Sequence, residues 1–190
     1  MKEHAINSVG NFISGWYTEK VDSCDKLIQY FQESPNKVIG TTNFTVNKTI
    51  KDSTDCQLVG KDILNLYWDI LEPCLSQYKK QYSYCDYYAQ WGITDRVLIQ
   101  YYSPNGGYHQ WHTERTSNTL PVASRHLVFM TYLNDVNDSG ETEWFYQKTK
   151  IKPVKGLTVI WPADWTFTHK GIPSPTEEKY IVTGWFNFIS

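Results

Sequence analysis

The 190-residue sequence predicts an α+β fold that is mainly β: a sandwich or barrel-like jelly roll flanked on one side by helices. Strand-length apolar runs separated by turn residues crowd the second half, whereas the first half carries the segments of helical period. Aromatic residues make up 16% of the chain, and aromatic and β-branched side chains suit pleated surfaces. One domain is expected, with N-terminal helical support over about 1–95 and a β core over about 96–188.

In chain order, VDSCDKLIQYFQES is the first predicted helix, capped at Asp22 or Ser23, with Leu27, Ile28 and Phe31 on one face. KVIGTTNFTVNK follows as one or two strands turning near Gly40. DILNLYWDILEPCLSQY repeats apolar residues close to every 3.6 positions, but Pro73 predicts a kink or two shorter helices. The strands then expected are RVLIQYY (96–102), RHLVFMTYL (125–133), TEWFY (142–146), GLTVIW (156–161) and KYIVTGWF (179–186). SPNGG, NDVNDSG, KPVKG and IPSPTEE supply turns between several of them.

Composition excludes several classes. A formal charge of −2 with dispersed basic residues leaves no electrostatic footprint for nucleic acid or an anionic membrane. The N-terminus lacks a long apolar run, so neither a signal peptide nor a membrane span is expected there. Cys24, Cys56, Cys74 and Cys85 show no CxxC spacing, which reads as reduced thiols in a soluble cytoplasmic protein.

GGYHQWHTER, residues 106–115, holds the chemistry-bearing residues. On an extended strand His112 and Glu114 leave the same face, roughly 6.5–7 Å apart along the backbone. His109 should point off the opposite face, and Gly106 with Gly107 should open a turn at positive φ. His169 in WTFTHKG, 57 residues past His112, supplies a third donor from another strand. Two histidines and a carboxylate on one face of an ion suit non-haem Fe(II), with coordination positions left open; zinc accepts the same donors. His126, beside Arg125 in an apolar strand, reads as a satisfied core residue or a support behind a ligand.

Over about residues 96–188 the sequence resembles the prolyl 4-hydroxylase-like branch of the Fe(II)/2-oxoglutarate-dependent oxygenases. YYSPNGGYHQWHTE resembles the loop leading into that family's His-x-Asp pair. SRHLVFMTYLNDVNDSGETEWF is similar to its next strand, LND turn and Gly-Glu-Thr segment. KPVKGLTVIWPADWTFTHKG resembles its Lys-Gly strand and distal histidine, and KYIVTGWF its closing strand with a basic residue ten positions on. The sequence departs in placing Glu114 where the family usually has Asp and Ser139 where many members have glycine. It also has one extra residue between Tyr108 and His112.

The resemblance implies a double-stranded β-helix core, with His112, Glu114 and His169 holding Fe(II). It implies 2-oxoglutarate and O2 as co-substrates, with ascorbate a candidate accessory. Lys179 is implied as partner of the keto acid's distal carboxylate, because a buried anion without a cation is costly. Tyr102 is the first choice for a hydroxyl contact to the co-substrate and Thr131 the second, with Thr183 and Trp185 lining the same cavity. Trp165 and Phe167 are candidates to shield the metal, and the Tyr-rich run 77–91 and the loop 115–124 to wall the substrate groove.

The implied activity is hydroxylation of an unactivated C–H bond with release of succinate and CO2. A peptidyl proline is the leading substrate and a free small molecule the alternative. The carboxylate ligand argues against a halogenase. A cupin-type metal enzyme without a keto acid, which has no use for Lys179, and a non-catalytic binding module are the remaining readings. Compact relatives are bacterial and viral.

Overall fold

In a computed structural model that describes residues 1–42 and 45–189, the chain forms two antiparallel sheets, with two helices against the outer face of the larger. Asn43 and Phe44, within the strand segment expected over KVIGTTNFTVNK, lie outside the described residues.

In chain order the early strands are β1 (Lys2–Glu3), β2 (Ser14–Tyr17), β3 (Val38–Ile39), β4 (Lys51–Asp52), β5 (Thr54–Gln57) and β6 (Trp91–Gly92). The jelly-roll strands follow as β7 (Leu98–Tyr102), β8 (Gly107–His112), β9 (Arg125–Tyr132) and β10 (Thr142–Trp144). The last four are β11 (Thr149–Ile151), β12 (Leu157–Pro162), β13 (His169–Gly171) and β14 (Lys179–Phe188). The larger sheet runs β1-β2-β12-β9-β14-β7-β5-β3, with β6 against the end of β14. The smaller runs β11-β10-β13-β8-β4. The first half of the chain therefore widens both sheets as well as buttressing them.

Helix α1 (Val21–Glu33) starts after Lys20 with no side-chain cap. Asp22 lies instead in the first turn, where a carboxylate favours the positive end of the helix dipole. Helix α2 (Lys61–Gln81) runs through Pro73 without dividing, unlike the two shorter helices the proline suggests. An interior proline costs a helix about 3 kcal/mol. Six buried side chains of α2, among them Tyr67, Ile70, Leu71 and Tyr78, offset it at roughly 1.5–3 kcal/mol for each large apolar one. No helix among the described residues is long and apolar enough to cross a membrane.

The period of two along each strand divides the interior into two cores. Leu127 and Phe129 of β9, with Val182 and Phe186 of β14, face α1 and α2. Val128, Met130 and Tyr132 of β9, with Ile181 of β14, face the smaller sheet. Ser139 takes a φ of 64°, a conformation glycine adopts freely. The positive φ expected at Gly106 and Gly107 falls on Asn105 (φ 66°) instead. Gly106 is needed for close approach: a Cβ there would sit 2.9 Å from the backbone oxygens of Asp52 and Ser103.

Candidate metal centre and its cavity

Pairing of β8 with β13 sets His112 opposite His169, and their ring centroids lie 4.3 Å apart. Glu114, just past β8, turns its Oε1 between them, 3.6 Å from His112 Nε2 and 3.3 Å from His169 Nε2. One ligand atom from each of the three residues lies within 4.8 Å of the others. An ion bonded at about 2.0–2.2 Å to each donor fills such a gap.

Both imidazoles have Nδ1 3.0 Å from a carbonyl two residues back, Gln110 O for His112 and Phe167 O for His169. A proton on Nδ1 satisfies each carbonyl and leaves the Nε2 lone pair free toward Glu114, the tautomer a metal requires. Burial pushes the His112 pKa down, with His169 adding to it against the opposing pull of Glu114. Burial works against the charge of Glu114 too. Hydrogen bonding and charge from the two imidazoles outweigh it and hold the carboxyl well below the usual range. An ionised carboxylate facing two Nε2 atoms forms a donor set suited to a divalent cation.

The walls differ in part from expectation. Trp144 and Trp161, fully buried, flank His169 at 6.1 and 5.2 Å between centroids, and Tyr108 stacks on His112 at 3.5 Å. Trp165 is 62% exposed and Phe167 sits in the inner core, so the indoles packed beside His169 are those of Trp144 and Trp161. Glu114 has two partners the sequence did not single out for it. Trp185 Nε1 donates to Oε2 at 2.9 Å, and Arg125 Nη1 donates to the Glu114 backbone oxygen at 2.9 Å. Trp185 was expected only to line the cavity, and Arg125 lies eleven residues from Glu114 in an apolar run with no recognisable signal.

A cavity of about 960 Å3 between the sheets contains the three donors and extends to Tyr102, Lys179, Thr183 and Trp185. Lys179 is 4% exposed, and its Nζ donates to Gly140 O at 2.8 Å and Ile172 O at 3.3 Å. Burial pushes its pKa down to about 8. Tyr102 is the register partner of Lys179; its hydroxyl donates to Gln100 Oε1 at 2.7 Å, and burial holds it well above the ordinary tyrosine range.

Thr131 lies on the other face of the sheet. Its hydroxyl bonds Tyr67 at 3.0 Å and Thr158 at 2.7 Å beneath α2, so it is turned away from the cavity in which a co-substrate contact was expected. Loop 115–124 reaches the cavity through Thr116 and Val122, whereas no residue of the Tyr-rich run 77–91 lines it. Tyr78 is core and Tyr84, Tyr87 and Tyr88 face solvent. The far wall comes from Val38, Ile39 and Thr41, with a buried Lys51–Asp55 ion pair at 2.6 Å. His126 is satisfied by Cys85 O at 2.8 Å.

Residues 97–187 match the family model of the 2OG-Fe(II) oxygenase superfamily. Among solved structures, the chain resembles the viral collagen prolyl hydroxylase of Paramecium Bursaria Chlorella virus-1, in a 2OG complex, at 19% identity and TM-score 0.70, covering 95% of this chain and 98% of that one. A Pseudomonas putida prolyl-4-hydroxylase matches at 17% identity and TM-score 0.71, covering 93% and 92%. A Trichoplax adhaerens prolyl hydroxylase, in complex with a hypoxia inducible factor peptide fragment, matches at 15% identity and TM-score 0.72, covering 96% and 90%. These likenesses agree on a jelly-roll fold. No curated protein matches the sequence.

Proposed function

We propose that this chain, whose residues 97–187 match the 2OG-Fe(II) oxygenase superfamily model, hydroxylates an unactivated C–H bond of a peptidyl proline. One observation carries the reading: two imidazole Nε2 atoms and Glu114 Oε1 converge in the cavity that also holds the buried ammonium of Lys179. Among the described residues that ammonium bonds only carbonyls, which leaves its charge free to pair with a carboxylate. A cupin-type enzyme without a keto acid gives no reason to bury such a cation.

His112, Glu114 and His169 hold the metal. Bound Fe(II) and 2-oxoglutarate supply the oxidative chemistry that consumes O2 and releases succinate and CO2. Lys179 receives the co-substrate's distal carboxylate, and the Tyr102 hydroxyl, now donating to Gln100, lies beside it on the paired strand. Trp144, Trp161 and Met130 keep the inner wall dry. The peptide reading is supported by the cavity, at the top of the roughly 300–1,000 Å3 range of small-molecule sites, and by the peptide-bound relative of like fold.

Anaerobic titration with Fe(II) and 2-oxoglutarate tests the centre, the expected result being a visible metal-to-ligand band. Its absence in wild type together with absence of metal uptake refutes the centre. A 2-oxoglutarate-dependent gain of one oxygen on proline-containing peptides supports the substrate class. No gain across a broad peptide panel, with 2-oxoglutarate still turned over on small molecules, refutes it.

A further inference from the structure

Glutamate in the carboxylate position raises a conformational problem. One methylene more than aspartate adds a rotatable bond, and an unrestrained Glu114 would lose that freedom each time it held an ion, which weakens its grip. We infer that Trp185 and Arg125 are positioning residues for Glu114, gripping its second oxygen so that Oε1 alone faces the imidazoles. The inference rests on the metal-binding reading above.

The contacts form a closed set. The Trp185 indole N–H takes Oε2 at 2.9 Å. The Arg125 guanidinium lies 3.6 Å over the Trp185 ring, with Nη1 also 3.6 Å from Oε2. Nη1 donates to the Glu114 backbone oxygen, which fixes both ends of the residue. Asp95 holds the other arm of Arg125 at 3.0 Å, and the side chains of Glu114, Arg125 and Asp95 are only 14%, 14% and 10% exposed. Strand register explains the meeting. Arg125 pairs with Asn187, so it reaches diagonally to Trp185, two residues along the same strand. Stacking holds the guanidinium flat on the indole, and a charge-assisted bond in a buried setting restrains Glu114 more than an exposed one would.

The test uses Co(II) as the probe, followed by its visible absorption, in a double-mutant cycle of Trp185→Phe with Glu114→Asp. Phenylalanine keeps the stacking surface and removes the indole donor. In the Glu114 background the Co(II) dissociation constant should rise about ten- to a hundredfold. In the Glu114→Asp background, where the carboxylate is too short to reach the indole, the same change should alter it by less than about twofold. Equal losses in both backgrounds overturn the inference, because they mark a general structural role. Co(II) binding within about twofold of wild type in the Glu114 background overturns it too. If Trp185→Phe does not fold, Trp185→Leu, which also removes the indole donor, is read through the same cycle with the same criteria. Wild type that takes up no Co(II) overturns both this inference and the metal-binding reading, whereas metal-competent wild type with insensitive variants sinks the inference alone.

Discussion

Replacing Lys179 by methionine should separate folding from co-substrate binding. In the free protein the ammonium is 4% exposed, and its pKa stands at about 8 against an ordinary 10.5, so burial disfavours its charge by roughly 3 kcal/mol. Methionine removes that penalty. It also leaves Gly140 O and Ile172 O without their donor, at about 1–3 kcal/mol for each acceptor kept dry. The two effects nearly cancel, and the melting temperature near pH 7 should move by only a few degrees. Between pH 8 and 10.5 the unfolded chain keeps the Lys179 proton and the folded chain has lost it. Wild-type stability therefore gains from this group as pH rises through that window, and the methionine variant lacks the gain. Binding should respond very differently. Removing one partner of a buried charge pair costs about 2–5 kcal/mol, which raises the 2-oxoglutarate Kd by about 30-fold or more. The assay is anaerobic 2-oxoglutarate titration of the Fe(II)-loaded protein, alongside thermal unfolding. An unchanged Kd with an intact fold would refute the assignment of Lys179.

Affinity for 2-oxoglutarate should be flat below pH 8 and fall about tenfold per pH unit above it as Lys179 loses its proton, while Lys179→Arg should abolish the fall; isothermal titration across pH checks both. Thr131→Val should leave the 2-oxoglutarate KM unchanged and cost about 1–3 kcal/mol of stability, since Tyr67 and Thr158 lose a buried partner; steady-state kinetics and urea unfolding read the two halves. Pro73→Ala, at an exposed position, should restore a backbone donor within α2 and raise the urea-unfolding free energy by about 1–2 kcal/mol.

The five later strands named from the sequence were legible because each is a short apolar run between turn signals, and all five appear within two residues of their expected bounds. TEWFY is cut short at Trp144, with Phe145 and Tyr146 in the following turn. His112 and Glu114 declare a common face through their spacing, and His169 and Lys179 are legible through the ordered motifs around them. Thr131 was not legible. Leu127 to Tyr132 is buried on both faces, so no polar alternation says which residues look into the cavity. The two-residue strands β1, β3, β4 and β6 are too short to carry any period and exist only through their partners. Pro73 misled because local preference yields to the packing of a helix face. Arg125 and Trp185 meet through sheet register, which no linear spacing encodes.

Strand β14 carries a further consequence. Lys179, Ile181, Thr183 and Trp185 look into the cavity from alternate positions, while Tyr180, Val182 and Phe186 look toward the helices. The proposed anchor for the co-substrate's tail and the proposed brace for Glu114 are thus beads on one string, locked in phase. Inserting a single residue ahead of Lys179 that shifted the pairing by one would turn every one of these side chains inside out, whereas a two-residue slip would preserve their orientation and displace them by about 6.5–7 Å. Length changes are therefore expected to be tolerated only where the loop before Lys179 absorbs them without moving the register of β14.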